Sequence, residues 1–235
     1  TMKLKCVSID YGIFVNTGKT CKTTDYILAH KKIKSEFIDN LKEEIKLAYG
    51  ENPELSPDYA RIINTKNWER LTAMLPNNKI IIGGQTNAET NFIAPTLIDE
   101  PSLDSLVMKD EIFGPILPIL SYESEKDLEN IISKYEKPLA LYVFSNSSNF
   151  SKKIIQQFSF GGGCINDTMI QFVNKRLPFG GVGNSGIGAY HGKLSFDIFS
   201  HKKSIVNKGN WLDLPLRYAP YKIKLSTIKK LFNWL

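Results

Sequence analysis

The segment Phe14-Val15-Asn16-Thr17-Gly18-Lys19-Thr20-Cys21 ends on a single thiol, and ninety residues later stands Glu111-Ile112-Phe113-Gly114-Pro115. A thiolate is a strong nucleophile when a turn exposes it and a cation lies close by. Asn16 and Gly18 suit a tight turn, Lys19 brings a cation, and the apolar run that follows reads as a strand able to aim the thiol. Cys6 and Cys164 lack that setting and read as small buried hydrophobes. The second segment offers a carboxylate, an aromatic ring and a Gly-Pro turn. A carboxylate at the lip of a sheet can accept both hydroxyls of a ribose, and Phe113 is placed to pack on a nicotinamide ring. A thiolate opposite a dinucleotide's ribose and nicotinamide is what oxidation of an aldehyde through a thioester requires. The plain alternatives are a buried structural cysteine and a surface glutamate before a turn.

The elements that must position these groups alternate along the chain. Tyr26–Ala29 reads as a strand. Ser35–Tyr49 sets Phe37, Ile38, Leu41, Ile45 and Ala48 on one helical face, with Gly50 as a stop. Pro57 opens a second helical pattern through Ile62, Ile63, Trp68, Leu71 and Leu75. Ile80–Ile82, Phe92–Ile98, Ile116–Leu120, Leu139–Phe144 and Gly163–Asn166 are strand candidates. Ser124 and Asp127 form a weaker version of a capping box ahead of Leu128, Ile131 and Ile132, and Phe150–Phe158 reads as a short helix. Mostly apolar strands alternating with helices predict an α/β domain, its parallel sheet covered by helices on both faces. Beyond Ile187 the alternation stops. Residues 202–208 suit one strand, and 212–235 read as an extended basic tail.

Gly181-Val182-Gly183-Asn184-Ser185-Gly186 satisfies GxGxxG but lacks the strand before it and the helix after it that phosphate binding needs. It reads as a tightly packed glycine loop. His191, with no second ligand at metal spacing, reads as a polar packing residue. Three cysteines without CxxC spacing fit a reducing compartment and argue against a disulfide scaffold or a zinc site. The net charge of +6 points away from nucleic acid once it is located. Eight basic residues between His201 and Leu235 face Asp213 alone, so the rest of the chain is close to neutral. No RNA-binding aromatic motif accompanies them. Ile228, Leu231, Phe232 and Leu235 follow helical spacing with Lys229 and Lys230 beside them, which suits an anionic membrane surface.

In order, Asn16–Cys21, Arg61–Asn64, Ile82–Gln85, Ile93–Thr96, Glu111–Pro118, Lys137–Tyr142, Phe144–Ser148, Gly162–Asp167 and Leu177–Gly192, running into Phe196–His201, resemble the class 3 aldehyde dehydrogenases. The likeness runs from Tyr11 to about Tyr221 and leaves residues 1–10 unmatched. It implies a catalytic domain over 11–200, an oligomerisation strand and extension over 201–221, and a basic amphipathic tail over 222–235. It further implies Cys21 as nucleophile, Glu111 and Phe113 as the NAD or NADP site, and the Asn166–Gln171 loop as a wall of the aldehyde tunnel. The implied substrates are medium- or long-chain aldehydes. A homodimer, or pairing with a full-length relative, follows from the oligomerisation strand. The implied setting is cytoplasmic, including the cytosolic face of a membrane such as the endoplasmic reticulum. Two departures stand out. Lys19 replaces the family's usual Gln, and the cofactor domain, water-activating glutamate and oxyanion-binding asparagine all precede this stretch. The chain thus resembles the carboxy-terminal half of such an enzyme. The rival reading is an inactive truncated chain that modulates a full-length partner, and a cysteine hydrolase, lacking a Cys/His/Asn arrangement, stands third.

Overall fold

In the computed structural model, which describes residues 2–211, 213, 218–221 and 224–233, the chain forms two units, one ending at Phe199 and one beginning at Ser200. The first holds helices α1 (Met2–Phe14), α2 (Lys31–Tyr49), α3 (Thr65–Thr72), α4 (Leu106–Lys109), α5 (Glu125–Ile132), α6 (Ser148–Gln157), α7 (Ile170–Val173) and α8 (Gly192–Ile198). Its strands are β1 (Ile27–His30), β2 (Lys79–Ile82), β3 (Thr86–Asn87), β4 (Phe92–Ile93), β5 (Thr96–Asp99), β6 (Ile116–Tyr122), β7 (Ala140–Val143) and β8 (Gly162–Ile165). The second unit contains α9 (Leu225–Phe232).

The main sheet runs β1-β6-β5-β2, with β1 and β5 parallel to β6 and only β2 antiparallel. β7 and β8 form a separate parallel pair, and β3 and β4 a short antiparallel one. Side-chain alternation divides the apolar residues between two faces. Leu97, Leu117 and Ile119 pack with Cys6, Ile9, Ile13, Leu41 and Ile45 of α1 and α2. Ile98, Ile116 and Leu120 pack on the other side with Leu71 of α3 and Val107 of α4. The α/β fold with helices on both faces is as the sequence predicts, and the sheet is mixed rather than wholly parallel.

Several boundaries differ from expectation. The helical pattern begun at Pro57 becomes a helix only at Thr65, where Asn64 caps it by accepting the Asn67 N–H at 2.9 Å. Upstream, the backbone is bound elsewhere, as in the Ile62 N–H bond to the Asn91 carbonyl at 3.0 Å. Residues 92–98 divide into two strands at Ala94-Pro95, because the Ala94 N–H goes to the Gln85 carbonyl and proline has none to give. The capping box at Ser124 and Asp127 forms in full. Residues 202–208 form no strand. Ile205 and Val206 are exposed. The tail is not extended throughout, since Leu225–Phe232 is helical. Trp234 and Leu235, on which the longer amphipathic pattern also drew, lie outside the described residues, as does the Leu231 side chain.

Candidate active site

α1 ends at Phe14 and the chain turns through Asn16, Thr17 and Gly18, all with positive φ (51°, 56° and 72°). Asparagine tolerates this region and threonine rarely occupies it, so Thr17 marks a strained turn held by its surroundings. The neighbour that holds it is the second motif. A Cβ on Gly18 would sit 2.2 Å from the Gly114 carbonyl oxygen, and one on Gly114 would sit 2.5 Å from the Leu71 side chain. The two segments read as separate motifs in the sequence therefore dovetail, backbone on backbone, above α3.

Asp25, four residues past Cys21, makes a second tie. Its Oδ1 accepts the Ile112 N–H at 3.0 Å. From the other side Arg70 of α3 donates to the carbonyls of Glu111 (3.4 Å) and Ile112 (2.6 Å). Burial pushes the Asp25 carboxyl up to about 6, and Glu111 adds to the rise. The backbone N–H groups of Ile112 and Phe113, together with Arg70, oppose it. The Glu111–Phe113 backbone is thus gripped at N–H and at C=O, with Ile112 buried in the core while the Glu111 and Phe113 side chains stay out. The Glu111 side chain is exposed and bonds to no described residue. Phe113, at φ 49°, keeps 41% of its surface exposed.

Cys21 is an exposed free thiol in a turn before β1, whereas Cys6 is fully buried and Cys164 half-buried. Burial, reinforced by Glu44, pushes the Cys6 thiol up to about 11, and burial also raises Cys164. Cys21, Asp25 and Glu111 line one cavity of about 590 Å³, with β1 and β7 as its walls and Asn184 and Ser185 of the glycine loop at its rim. That role for residues 181–186 agrees with a packing loop. Gly181 lies against the backbone of Ser185 and Gly186 too closely for any side chain. His191 stacks among Phe172, Phe179 and Tyr190.

Lys19 is not the cation at the thiol. Its ammonium is bonded to the Arg61 carbonyl, and burial lowers its pKa. The lysine that interacts with Cys21 is Lys22, 2% exposed, with Nζ 3.2 Å from the Leu139 carbonyl and 4.7 Å from the Phe179 ring centre. Burial lowers its pKa, and Cys21 and then Cys164 work against that. The carbonyl of Lys22 accepts the Tyr142 hydroxyl at 3.0 Å. That hydroxyl in turn accepts from Gln171 Nε2 (3.3 Å), whose Oε1 accepts the Cys164 thiol (2.6 Å). Gln171 is thereby tied back to the thiol turn. Asn166 is engaged differently, since its amide bonds both the N–H and the carbonyl of Ser145 and clips the end of β8. Asp25, Lys22 and Tyr142 were not expected from the sequence. For Asp25 the available signal was an acid placed directly before a strand.

A strained thiol turn interlocked with an exposed carboxylate on the rim of an α/β sheet defines a class. The chain belongs to the aldehyde dehydrogenase family, whose model matches residues 3–205, a span that takes in most of the segment 1–10 expected to fall outside the likeness. Within that family it is similar to 4,4'-diaponeurosporen-aldehyde dehydrogenase of Staphylococcus aureus, with 45% identity over 99% of this chain and 51% of the relative. It is also similar to aldehyde dehydrogenase family 3 member A2 of Rattus norvegicus, with 44% identity over 88% and 43%. The solved substrate-bound state of Staphylococcus aureus AldH superposes with a TM-score of 0.90 at 44% identity, covering 99% of this chain and 51% of that one. The chain spans about half the length of the relatives it matches.

Proposed function

We propose that this chain supplies the nucleophile, and one end of the cofactor site, for oxidation of an aldehyde to an acid with NAD or NADP. The observation that carries the reading is the interlock of Gly18 with Gly114, which holds Cys21 and Glu111 on one cavity. The Glu111 carboxylate has both oxygens available for a ribose diol, and the exposed face of Phe113 suits a nicotinamide ring. When bound there, the cofactor supplies the hydride acceptor. The Cys21 thiolate attacks the aldehyde carbon to form a hemithioacetal, backbone N–H groups of the turn hold its oxyanion, and, once hydride had passed to the bound cofactor, water would release the acid from the thioester and return the thiol. The apolar lining of the cavity by β1 and β7 favours medium- or long-chain aldehydes. The Gln171–Tyr142–Lys22 chain fixes the wall beside the thiol.

Alkylation tests this directly. Iodoacetamide at neutral pH should label Cys21 well ahead of Cys6 and Cys164, and a long-chain aldehyde should protect Cys21 by forming the hemithioacetal. Equal labelling of the three thiols, or no protection by aldehyde, counts against the proposal.

A further inference from the structure

α1 carries a carboxylate into an apolar helix–helix seam. Asp10 is 7% exposed, and its Oδ1 is buried without a hydrogen-bond partner. Around it Ile9, Ile13 and Phe14 of α1 pack with Phe37, Ile38, Leu41 and Ile45 of α2. One turn earlier Cys6 points its thiol at the Phe37 carbonyl, 3.8 Å away. Among the described residues the ionisable groups that reach Asp10 are Glu44 of α2, which repels its charge, the Cys6 thiol, and the hydroxyls of Tyr49 and Tyr59. None of these described groups supplies a cation. Burial first and Glu44 second push the Asp10 carboxyl up to about 7. The group therefore changes charge near neutrality, in a seam with no room for the charged form.

The other faces of α1 lead to the thiol site. Ser8 Oγ donates to Asp167 Oδ1 at 2.7 Å, and Thr168 Oγ1 donates to the Ser8 carbonyl at 2.7 Å. Gly12 lies so close to Thr168 that a Cβ there would be 2.6 Å from its hydroxyl. The carboxy-terminal end of α1 runs through the strained turn at Asn16–Gly18 to Cys21.

We propose that Asp10 is a proton switch for the thiol site. Neutral, it lets α1 seat against α2; ionised, it must reach water, so α1 lifts from the seam and loosens the Cys21 turn and the Asn166–Gln171 loop. As regulation of catalysis this rests on Cys21 being the nucleophile, and the helix movement is measured independently of that reading.

The test compares this chain with its Asp10→Asn variant by amide hydrogen exchange, corrected for the intrinsic pH dependence. Protection of α1 should fall on the order of tenfold between about pH 6 and pH 8 in the wild type and stay level in the variant. The Cys21 alkylation rate of the wild type relative to the variant should be near one at about pH 6 and depart from one above about pH 7. Superimposable exchange profiles overturn the switch. An exchange response with a constant alkylation ratio overturns its coupling to the thiol. Should the variant fold poorly, the carboxyl carbon shift of Asp10 in the wild type decides, and a midpoint in the ordinary carboxylate range refutes the proposal. Failure of Cys21 to outpace Cys6 and Cys164 in either protein refutes the nucleophile reading instead, leaving the exchange result to judge the switch.

Discussion

Gly18→Ala tests the interlock on which the site depends. The new Cβ would lie 2.2 Å from the Gly114 carbonyl oxygen and 2.6 Å from its carbon. Ordinary carbon–oxygen contact begins more than an ångström further out, and what must yield is backbone on both sides. Two costs add: about 1 kcal/mol for alanine at φ +72°, and about 1–3 kcal/mol for overpacking. Gly188→Ala separates them, because Gly188 has φ +74° with nothing within 4 Å of an added methyl and so carries the strain alone. Urea unfolding of both variants should give a loss of about 2–4 kcal/mol for Gly18→Ala and about 1 kcal/mol for Gly188→Ala. Iodoacetamide labelling of Cys21 should change in the first and not in the second, since only the first moves the thiol turn. Equal losses with equal labelling would refute the claim that the two motifs are locked through Gly18 and Gly114.

Asp25 predicts a pH dependence. Its carboxyl rises from 3.8 to about 6 in the fold, so the stability it contributes is full below about pH 3.8 and is lost as pH rises through about 6, amounting to about 3 kcal/mol. Asp25→Asn should accordingly raise urea-unfolding stability at pH 7 relative to wild type and lose that advantage near pH 4; a difference independent of pH would contradict the burial argument. In a protein of full family length carrying these residues, Glu111→Gln should raise KM for NAD or NADP about tenfold and leave Cys21 labelling intact, and unchanged cofactor kinetics would remove Glu111 from the cofactor site. For the tail, Leu225 and Phe232 of α9 are exposed beside Lys229 and Lys230, so flotation on liposomes containing anionic lipid should weaken when residues 222–235 are deleted; identical flotation would exclude the membrane contact.

The α/β architecture was legible because its signals are local. Period-3.6 patterning marked α2, apolar runs marked β1, β6 and β7, and Ser124–Asp127 marked the start of α5. Errors fell where tertiary bonds overrode local pattern. The Ile62 N–H is taken by Asn91, which delays α3, and the Ala94 N–H is taken by Gln85, which divides residues 92–98 into two strands. Of the site residues, Cys21 and Glu111 could be found because their chemistry shows in their side-chain types. Lys19 misled because adjacency in sequence does not give direction, and its ammonium reaches Arg61. Asp25 carried only a weak signal, an acid before a strand, for a related reason. Its role lies in accepting a main-chain N–H 87 residues away, a partner that carries no side-chain signature.

The three ties on the Glu111 segment divide the work of placing the site. Gly18 fixes how closely the thiol turn approaches Gly114, Asp25 holds the Ile112 N–H, and Arg70 holds the carbonyls of Glu111 and Ile112. All three act on main chain, so none uses the Glu111 carboxylate, the Phe113 ring or the Cys21 thiol. That separation suits groups that must meet a ligand, because a side chain engaged in holding the scaffold has little bonding capacity left for one. The wall beside the thiol is built the other way. There Tyr142, Gln171 and Cys164 are joined through their own side chains and tied to the main-chain carbonyl of Lys22, the Lys22 ammonium bonds the Leu139 carbonyl, and Asn166 spends both ends of its amide on Ser145. Their polar atoms are largely committed to one another and to main chain, which leaves them little hydrogen-bonding capacity for a ligand. The side chains left uncommitted are therefore those of Cys21 and Glu111, which line the cavity, and of Phe113 beside them.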